Sequence, residues 1–135
     1  MHLLPPDEVR LVRGAQCKTR AGLFNEFSAA LQFPWYFGHN WDAFDECLHD
    51  VGEWMIEAKS LTVVISESSM LLTDEESESE FHVFTRIMRR VVRFDAAESE
   101  WLGQNFAHFV PLSLVLIESA DKIEGVSNRW TSSGP

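Results

Sequence analysis

The amino-acid sequence predicts a small α/β protein with a three-stranded, mainly parallel sheet packed against three to four helices. Apolar runs at residues 8–13, 61–66 and 110–117 have strand character, and stretches with helical spacing separate them in the order β-α-α-β-α-β. The composition is globular, because 45% of the 135 residues are hydrophobic and 24% are charged. We therefore expect a single domain over residues 1–135, with its core at about 8–118 and a frayed tail at about 128–135.

The first strand and the first helix follow from local patterns. Residues 8–13 alternate weakly between apolar and polar side chains and stop at Gly14, which indicates a short strand. Beyond Thr19, apolar side chains recur at helical spacing until Pro34, so a helix is expected near 20–32. The apolar positions of this helix are Leu23, Phe24, Phe27 and Leu31.

A second helix is predicted to begin after Asn40, whose side chain can cap it. Asp42 is favourable in the first turn, and Gly52 ends the pattern. The inward stripe consists of Phe44, Cys47, Leu48 and Val51.

The C-terminal half predicts two strands around a third helix. Residues 61–66 form a continuous β-branched run typical of a buried parallel strand. Thr73 followed by Glu76 predicts a capping box at the start of the third helix. The stripe of that helix is Phe81, Phe84, Met88 and Val91. A short helix at 96–102 and a last strand at 110–117 complete the pattern.

The charge is concentrated in one segment. The net charge is −10, and residues 34–80 hold twelve acids against Lys59 alone. This balance argues against nucleic-acid binding and favours a basic protein partner. The chain lacks a phosphate loop, a nucleophile elbow and a dinucleotide fingerprint, so the usual signatures of an α/β enzyme are missing.

The two cysteines and the apolar runs bear on location. Cys17 and Cys47 lack metal or redox spacing, which fits a reducing compartment. The first ten residues do not resemble a secretory leader, and the chain lacks an apolar run of about 18 residues that could span a bilayer. We therefore expect a cytoplasmic protein without membrane contact.

Residues 33–54 are the most informative stretch, with seven aromatic residues, five acids and no basic residue. Once the apolar stripe faces inward, helical geometry turns the remaining positions outward. These positions are Trp41, Asp42, Asp45, Glu46 and His49. Like charges one turn apart, as at Asp42 and Glu46, destabilise a helix by about 0.2–0.5 kcal/mol. A binding surface explains this arrangement better than stability does, and the alternative is a merely solvated face.

The run Tyr36-Phe-Gly-His-Asn-Trp-Asp-Ala-Phe-Asp-Glu-Cys-Leu48 resembles the signature of barstar-type intracellular ribonuclease inhibitors. The order of elements over about residues 8–118 is similar too. The resemblance implies a barstar-like fold of three parallel strands with helices. It also implies a non-enzymatic, immunity-type protein, a monomer when free, that plugs a ribonuclease active site in the cytoplasm of a toxin-producing bacterium.

The resemblance also implies residue roles. Tyr36 resembles the aromatic that lies over the nuclease, and Gly38 and Asn40 resemble the turn that lets the helix approach it. Asp42 resembles one key helix acid. Glu46 stands where the family usually has the Asp that occupies the catalytic phosphate site.

Three further positions complete the comparison with the family. Trp41 matches a contact position that is large and apolar in the family, whereas Asp45 stands where the best-studied inhibitor type has an aromatic. On the third helix, Arg86 stands where the family offers another acid to the partner. The resemblance implies a basic ribonuclease or ribonuclease-type toxin as the partner, although Arg86 argues against the partner being the same ribonuclease. For this chain itself we expect no cofactor and no metal ion.

Other interpretations remain open at this point. Glu46 and His49 have a Glu-x-x-His spacing that could serve a small metal-dependent hydrolase, with His39, Asp42 and Asp45 nearby. An acidic adaptor for another basic protein is a second alternative. Four arginines, Arg86, Arg89, Arg90 and Arg93, could form an RNA-binding stripe, but base at the end of a helix that begins with acid is typical of helix-dipole complementation.

Overall fold

Three parallel strands form one sheet in the order β1-β2-β3. The computed structural model describes residues 7–93 and 110–133. The strands are β1 (Asp7–Arg13), β2 (Ser60–Ser66) and β3 (Leu112–Leu116). Both neighbouring pairs are parallel, which confirms the predicted sheet.

The register places alternate residues of each strand on the same face. Leu11 pairs with Val64, and Val64 pairs with Val115. Val12 of β1 is buried whereas its neighbour Leu11 is exposed, because successive strand residues point to opposite faces. The helices pack on the Val12 face.

Four α-helices lie within the described residues. They are α1 (Arg20–Leu31), α2 (Trp41–His49), α3 (Ser79–Arg93) and α4 (Ile123–Ser132). The order β1-α1-α2-β2-α3-β3 agrees with the prediction, because helices between consecutive strands allow those strands to run parallel. None of the helices in the described ranges is long and apolar enough to cross a membrane.

Aromatic rings form the core that holds α2 in place. Phe44 of α2 lies 5.0 Å from Phe27 of α1 and 6.2 Å from Phe84 of α3, measured between ring centroids. All three side chains are fully buried. Burial on this scale is typical of positions where truncation to Ala costs about 3–5 kcal/mol, so α2 is fixed between its two neighbours.

The third helix begins at Ser79, so the predicted capping box at Thr73 and Glu76 is wrong. Leu72 has a φ of 57°, a left-handed conformation that a helix cannot include, and its N–H donates to the Cys17 carbonyl at 2.7 Å. The Thr73 hydroxyl donates to the Met70 carbonyl instead of accepting from a helix N–H. The hydrogen bond to Cys17, which precedes α1, therefore holds this segment in a non-helical conformation.

The tail predicted to be frayed from Asn128 is helical through Ser132. The ring of Trp130 lies 5.6 Å from that of Phe81, and Arg129 donates two hydrogen bonds to the Glu78 carboxylate at 2.8 and 2.9 Å. These contacts tie α4 to α3. The short helix predicted at 96–102 lies outside the described residues.

Candidate protein-binding surface

The segment before α2 fixes where the helix begins. The Asn40 side chain accepts a hydrogen bond from the Ala43 N–H at 2.8 Å, as predicted for its cap. His39 has the left-handed backbone in this turn, with a φ of 52°. A Cβ on Gly38 would lie 3.1 Å from the Asn40 amide nitrogen, so Gly38 allows the cap to close tightly.

Asp42 and Glu46 are exposed one turn apart on α2. Within residues 7–93 and 110–133, neither carboxylate forms a hydrogen bond or an ion pair. Asp42 lies in the first turn, where the helix dipole favours a negative charge, but Glu46 lies beyond it. Two unpaired carboxylates thus face solvent on the same side of one short helix.

Asp50 and Glu53 extend the negative charge past the end of α2. Burial, followed by the charges of Glu53 and Glu46, raises the pKa of Asp50. Burial also raises the pKa of Cys47, again with a contribution from Glu46. Cys47 is buried on the inward stripe, where a thiol behaves as a small apolar side chain. This surface is therefore suited to a cationic partner.

Trp41 is partly buried, so the expectation that it faces outward is wrong. Its ring lies 4.9 Å from Phe24 and 6.3 Å from Phe84, and its indole N–H donates to the Glu80 carboxylate at 2.8 Å. Helix α3 covers this flank of α2. Trp41 therefore joins α2 to the core and leaves only part of its ring accessible.

Asp45 is also turned toward α3 and not freely outward. Its Oδ2 accepts a hydrogen bond from the Arg90 guanidinium, and its Oδ1 lies 3.1 Å from His49 Nδ1. Nδ1 is closer, at 2.9 Å, to the Asp45 backbone oxygen, so a single Nδ1 proton bonds there and leaves Oδ1 without a hydrogen bond. Burial lowers the pKa of His49. Arg90 thus neutralises one of the three α2 acids and leaves the other two.

The three α3 arginines whose side chains the structure describes divide into two groups. Arg89 donates to the Trp130 carbonyl of α4, and Arg90 pairs with Asp45 of α2. Arg86 is exposed and has no hydrogen-bond or ion-pair partner in the part of the chain that the structure describes. Two of these side chains therefore link helices, and one remains for solvent or a partner.

An exposed aromatic turn precedes α2. The Phe37 N–H donates to the Pro34 carbonyl at 2.9 Å, which closes a turn with Trp35 and Tyr36 at its tip. Trp35 is 94% exposed and Tyr36 is 67% exposed. The family resemblance of the sequence points to Tyr36 but not to Trp35. The signal for Trp35 was the preceding Pro34, which marks a turn directly after the apolar Phe33.

Metal-binding potential is limited in this region. Among the residues described, no group of three or more His, Cys, Asp or Glu side chains is arranged to hold a metal ion. Glu46 faces solvent, whereas His49 Nδ1 faces its own helix.

A comparison with protein-family models identifies the family of this chain. The model described as "Barstar (barnase inhibitor)" matches residues 8–110, more than half of the chain. The chain belongs to the barstar family. The matched span runs from β1 through α3 and includes the aromatic turn and α2. Comparison with curated proteins gives no match.

Proposed function

We propose that this barstar-family protein is a non-catalytic inhibitor of a basic ribonuclease. The observation that carries the proposal is the pair of exposed carboxylates of Asp42 and Glu46 on one face of α2, which have no partner among the residues that the structure describes. The family description, which names barnase inhibitors, supports the same partner class.

The chemistry of a ribonuclease site explains why such a helix would inhibit. These enzymes use Lys, Arg and His to hold phosphate groups and to stabilise the charge of the transition state. Carboxylates on a fixed helix form charge-assisted hydrogen bonds with the same cations. Asp42 and Glu46 would therefore occupy phosphate positions without offering a bond to cleave.

The neighbouring residues serve this helix in different ways. Tyr36 would lie over the nuclease surface, and Gly38 and Asn40 set the start of α2 through the capped turn. Trp41 and Asp45 would act at the flank of the interface, because both are held against α3.

The proposed setting is the cytoplasm of a bacterium that makes the ribonuclease. The chain would be a monomer until it meets the toxin. The twelve acids in residues 34–80 would speed that encounter by attracting a basic surface.

The test is an RNA-hydrolysis assay with barnase and a panel of other basic secreted bacterial ribonucleases. We expect the purified chain to inhibit at least one of them stoichiometrically, and the Asp42→Ala, Glu46→Ala double variant to inhibit it far less. Inhibition of none would overturn the proposal.

Two other outcomes would favour the alternatives. Stoichiometric binding without loss of ribonuclease activity would favour an acidic adaptor. One tightly held metal ion per chain, lost on changing Glu46 and His49, together with hydrolytic activity would favour the metal-dependent hydrolase. Elemental analysis measures the metal directly.

A further inference from the structure

The tip of the 34–37 turn carries the two most exposed aromatic side chains of the described residues. Central turn positions usually hold Gly, Asn, Asp, Ser or Pro, which suit the turn backbone. Here they hold Trp35 and Tyr36. A buried aromatic ring removes about 150–250 Å² from water, so displaying two of them forgoes a large stabilisation. Folding does not account for this choice of residues.

The turn is anchored at both ends. Phe33 and Phe37 are buried, with ring centroids 5.1 Å apart, and Phe37 also contacts Phe24 at 5.7 Å. At the tip, the rings of Trp35 and Tyr36 meet edge to face at 5.8 Å. The backbone of the turn is therefore held in place before a partner binds, which lowers the entropy cost of binding.

The same turn leads directly into α2. The His39 ring lies 4.7 Å from that of Phe37, and its Nδ1 lies 3.3 Å from the Phe37 carbonyl oxygen. Asn40 then caps the helix that carries Asp42 and Glu46. From Phe33 to Trp41 the chain has no Asp, Glu, Lys or Arg, so an uncharged aromatic surface adjoins a charged one.

We propose that Trp35 is a further partner-contacting residue, whose indole, braced by Tyr36, enters the recess in which the ribonuclease stacks a nucleobase. Proteins that bind single-stranded RNA combine cationic groups for phosphates with apolar or aromatic surfaces for bases. The carboxylates of α2 would pair with the cationic groups, and the adjoining aromatic rings would contact the surface that binds bases. This inference rests on the proposed inhibition and adds the subsite that the aromatic turn fills.

The first experiment compares dissociation constants for the ribonuclease of the panel that the wild-type chain inhibits most strongly. Trp35→Ala is expected to weaken binding about 10- to 100-fold, mainly through faster dissociation, whereas Trp35→Phe keeps most of the affinity. Leu11→Ala is the matched control, because Leu11 is an exposed apolar side chain on the sheet face away from the helices. The free energy of unfolding should not change in any of the three.

The second experiment asks which subsite is filled. Guanosine and adenosine lack a phosphate, so they compete only for the base recess. We expect one of them to weaken binding of the wild-type chain but not of Trp35→Ala. Inorganic phosphate should weaken binding of both, because it competes with Asp42 and Glu46.

The outcomes separate the two proposals. If Trp35→Ala binds as tightly as wild type, or if neither nucleoside distinguishes the two proteins, the base-recess proposal is wrong while inhibition by α2 stands. If the α2 double variant inhibits normally, α2 is not the inhibitory element, and if the wild-type chain inhibits no ribonuclease of the panel, the proposed function itself fails.

Discussion

Acidic side chains in this protein occupy two kinds of environment. Some carboxylates of the described residues form links within the fold: Glu26 accepts from Arg13, and Glu78 accepts from Arg129. Hydrogen bonds from those arginines lower the pKa values of Glu26 and Glu78. Asp42 and Glu46 of α2 have no such partner within residues 7–93 and 110–133.

The difference predicts how stability responds when an acid of each kind is removed. A paired acid loses a contact when it is removed, whereas removal of an unpaired acid relieves repulsion from its neighbours. Stability and affinity should therefore respond in opposite ways in the two groups.

The largest effect is expected on the unpaired acids. Asp42→Ala or Glu46→Ala should each weaken ribonuclease binding by about 2 kcal/mol or more, about 30-fold, because the cations of the partner are left buried without a counter-charge. The free energy of unfolding should stay constant or rise by a few tenths of a kcal/mol. Calorimetric titration and urea unfolding measure the two quantities.

Glu26→Ala is the matched control, since Glu26 bonds both the backbone and the side chain of Arg13. It should lower stability and leave binding unchanged. Glu46→Asp keeps the charge and should keep most of the affinity. If binding instead tolerated loss of both α2 acids and failed on changing Arg86 or Arg90, α3 would be the binding element.

The next effect concerns Arg129 of α4, which contacts α3 and the segment before it. Arg129 bonds Glu78, donates to the Leu71 carbonyl at 2.7 Å, and places its guanidinium 3.7 Å from the Phe81 ring centroid. Arg129→Ala should lower the free energy of unfolding by about 2 kcal/mol, with ribonuclease inhibition unchanged. Thermal unfolding beside an inhibition assay checks this, and loss of inhibition in a folded variant would contradict it.

A smaller effect is expected from salt. The charge of residues 34–80 should speed association, so the association rate constant should fall as the screening length shortens from about 10 Å at 0.1 M to about 3 Å at 1 M salt. Stopped-flow mixing measures the rate. A rate that stays flat over this range would argue against steering by the acidic segment.

The smallest effect concerns Glu118, after β3. Hydrogen bonds from Ser69 and Ser119 lower the pKa of Glu118 from 4.5 to about 2. Its ionised form therefore stabilises the fold above about pH 4.5, and this contribution is lost as the pH falls toward 2. The stability difference between wild type and Glu118→Gln should shrink over that range in urea titrations. A difference independent of pH would refute the assignment.

Local patterns were sufficient for the parallel sheet and for the start of α2, but not for the start of α3 or for α4. The β-branched run of β2 and the capping residue Asn40 act through their immediate neighbours, so the parallel sheet and the start of α2 followed from the sequence. The start of α3 did not, because the left-handed Leu72 depends on a bond to Cys17 from another part of the chain.

The site divides in the same way. Exposure of Asp42 and Glu46 follows from helical periodicity, which sets the inward stripe. Trp41 and Asp45 lie on the flank that α3 covers, and periodicity cannot say which flank a neighbouring helix will occupy. The Arg90 to Asp45 ion pair joins residues 45 positions apart, and only the packed structure brings them together.

The aromatic turn has a thermodynamic consequence. Burial of apolar surface on association gives a negative heat-capacity change, whereas pairing of charges appears mainly as salt dependence. The interface would thus be temperature-sensitive through Trp35 and Tyr36 and salt-sensitive through α2. A habitat in which the temperature varies would place the aromatic turn under selection. A habitat in which the ionic strength varies would place the acids of α2 under selection.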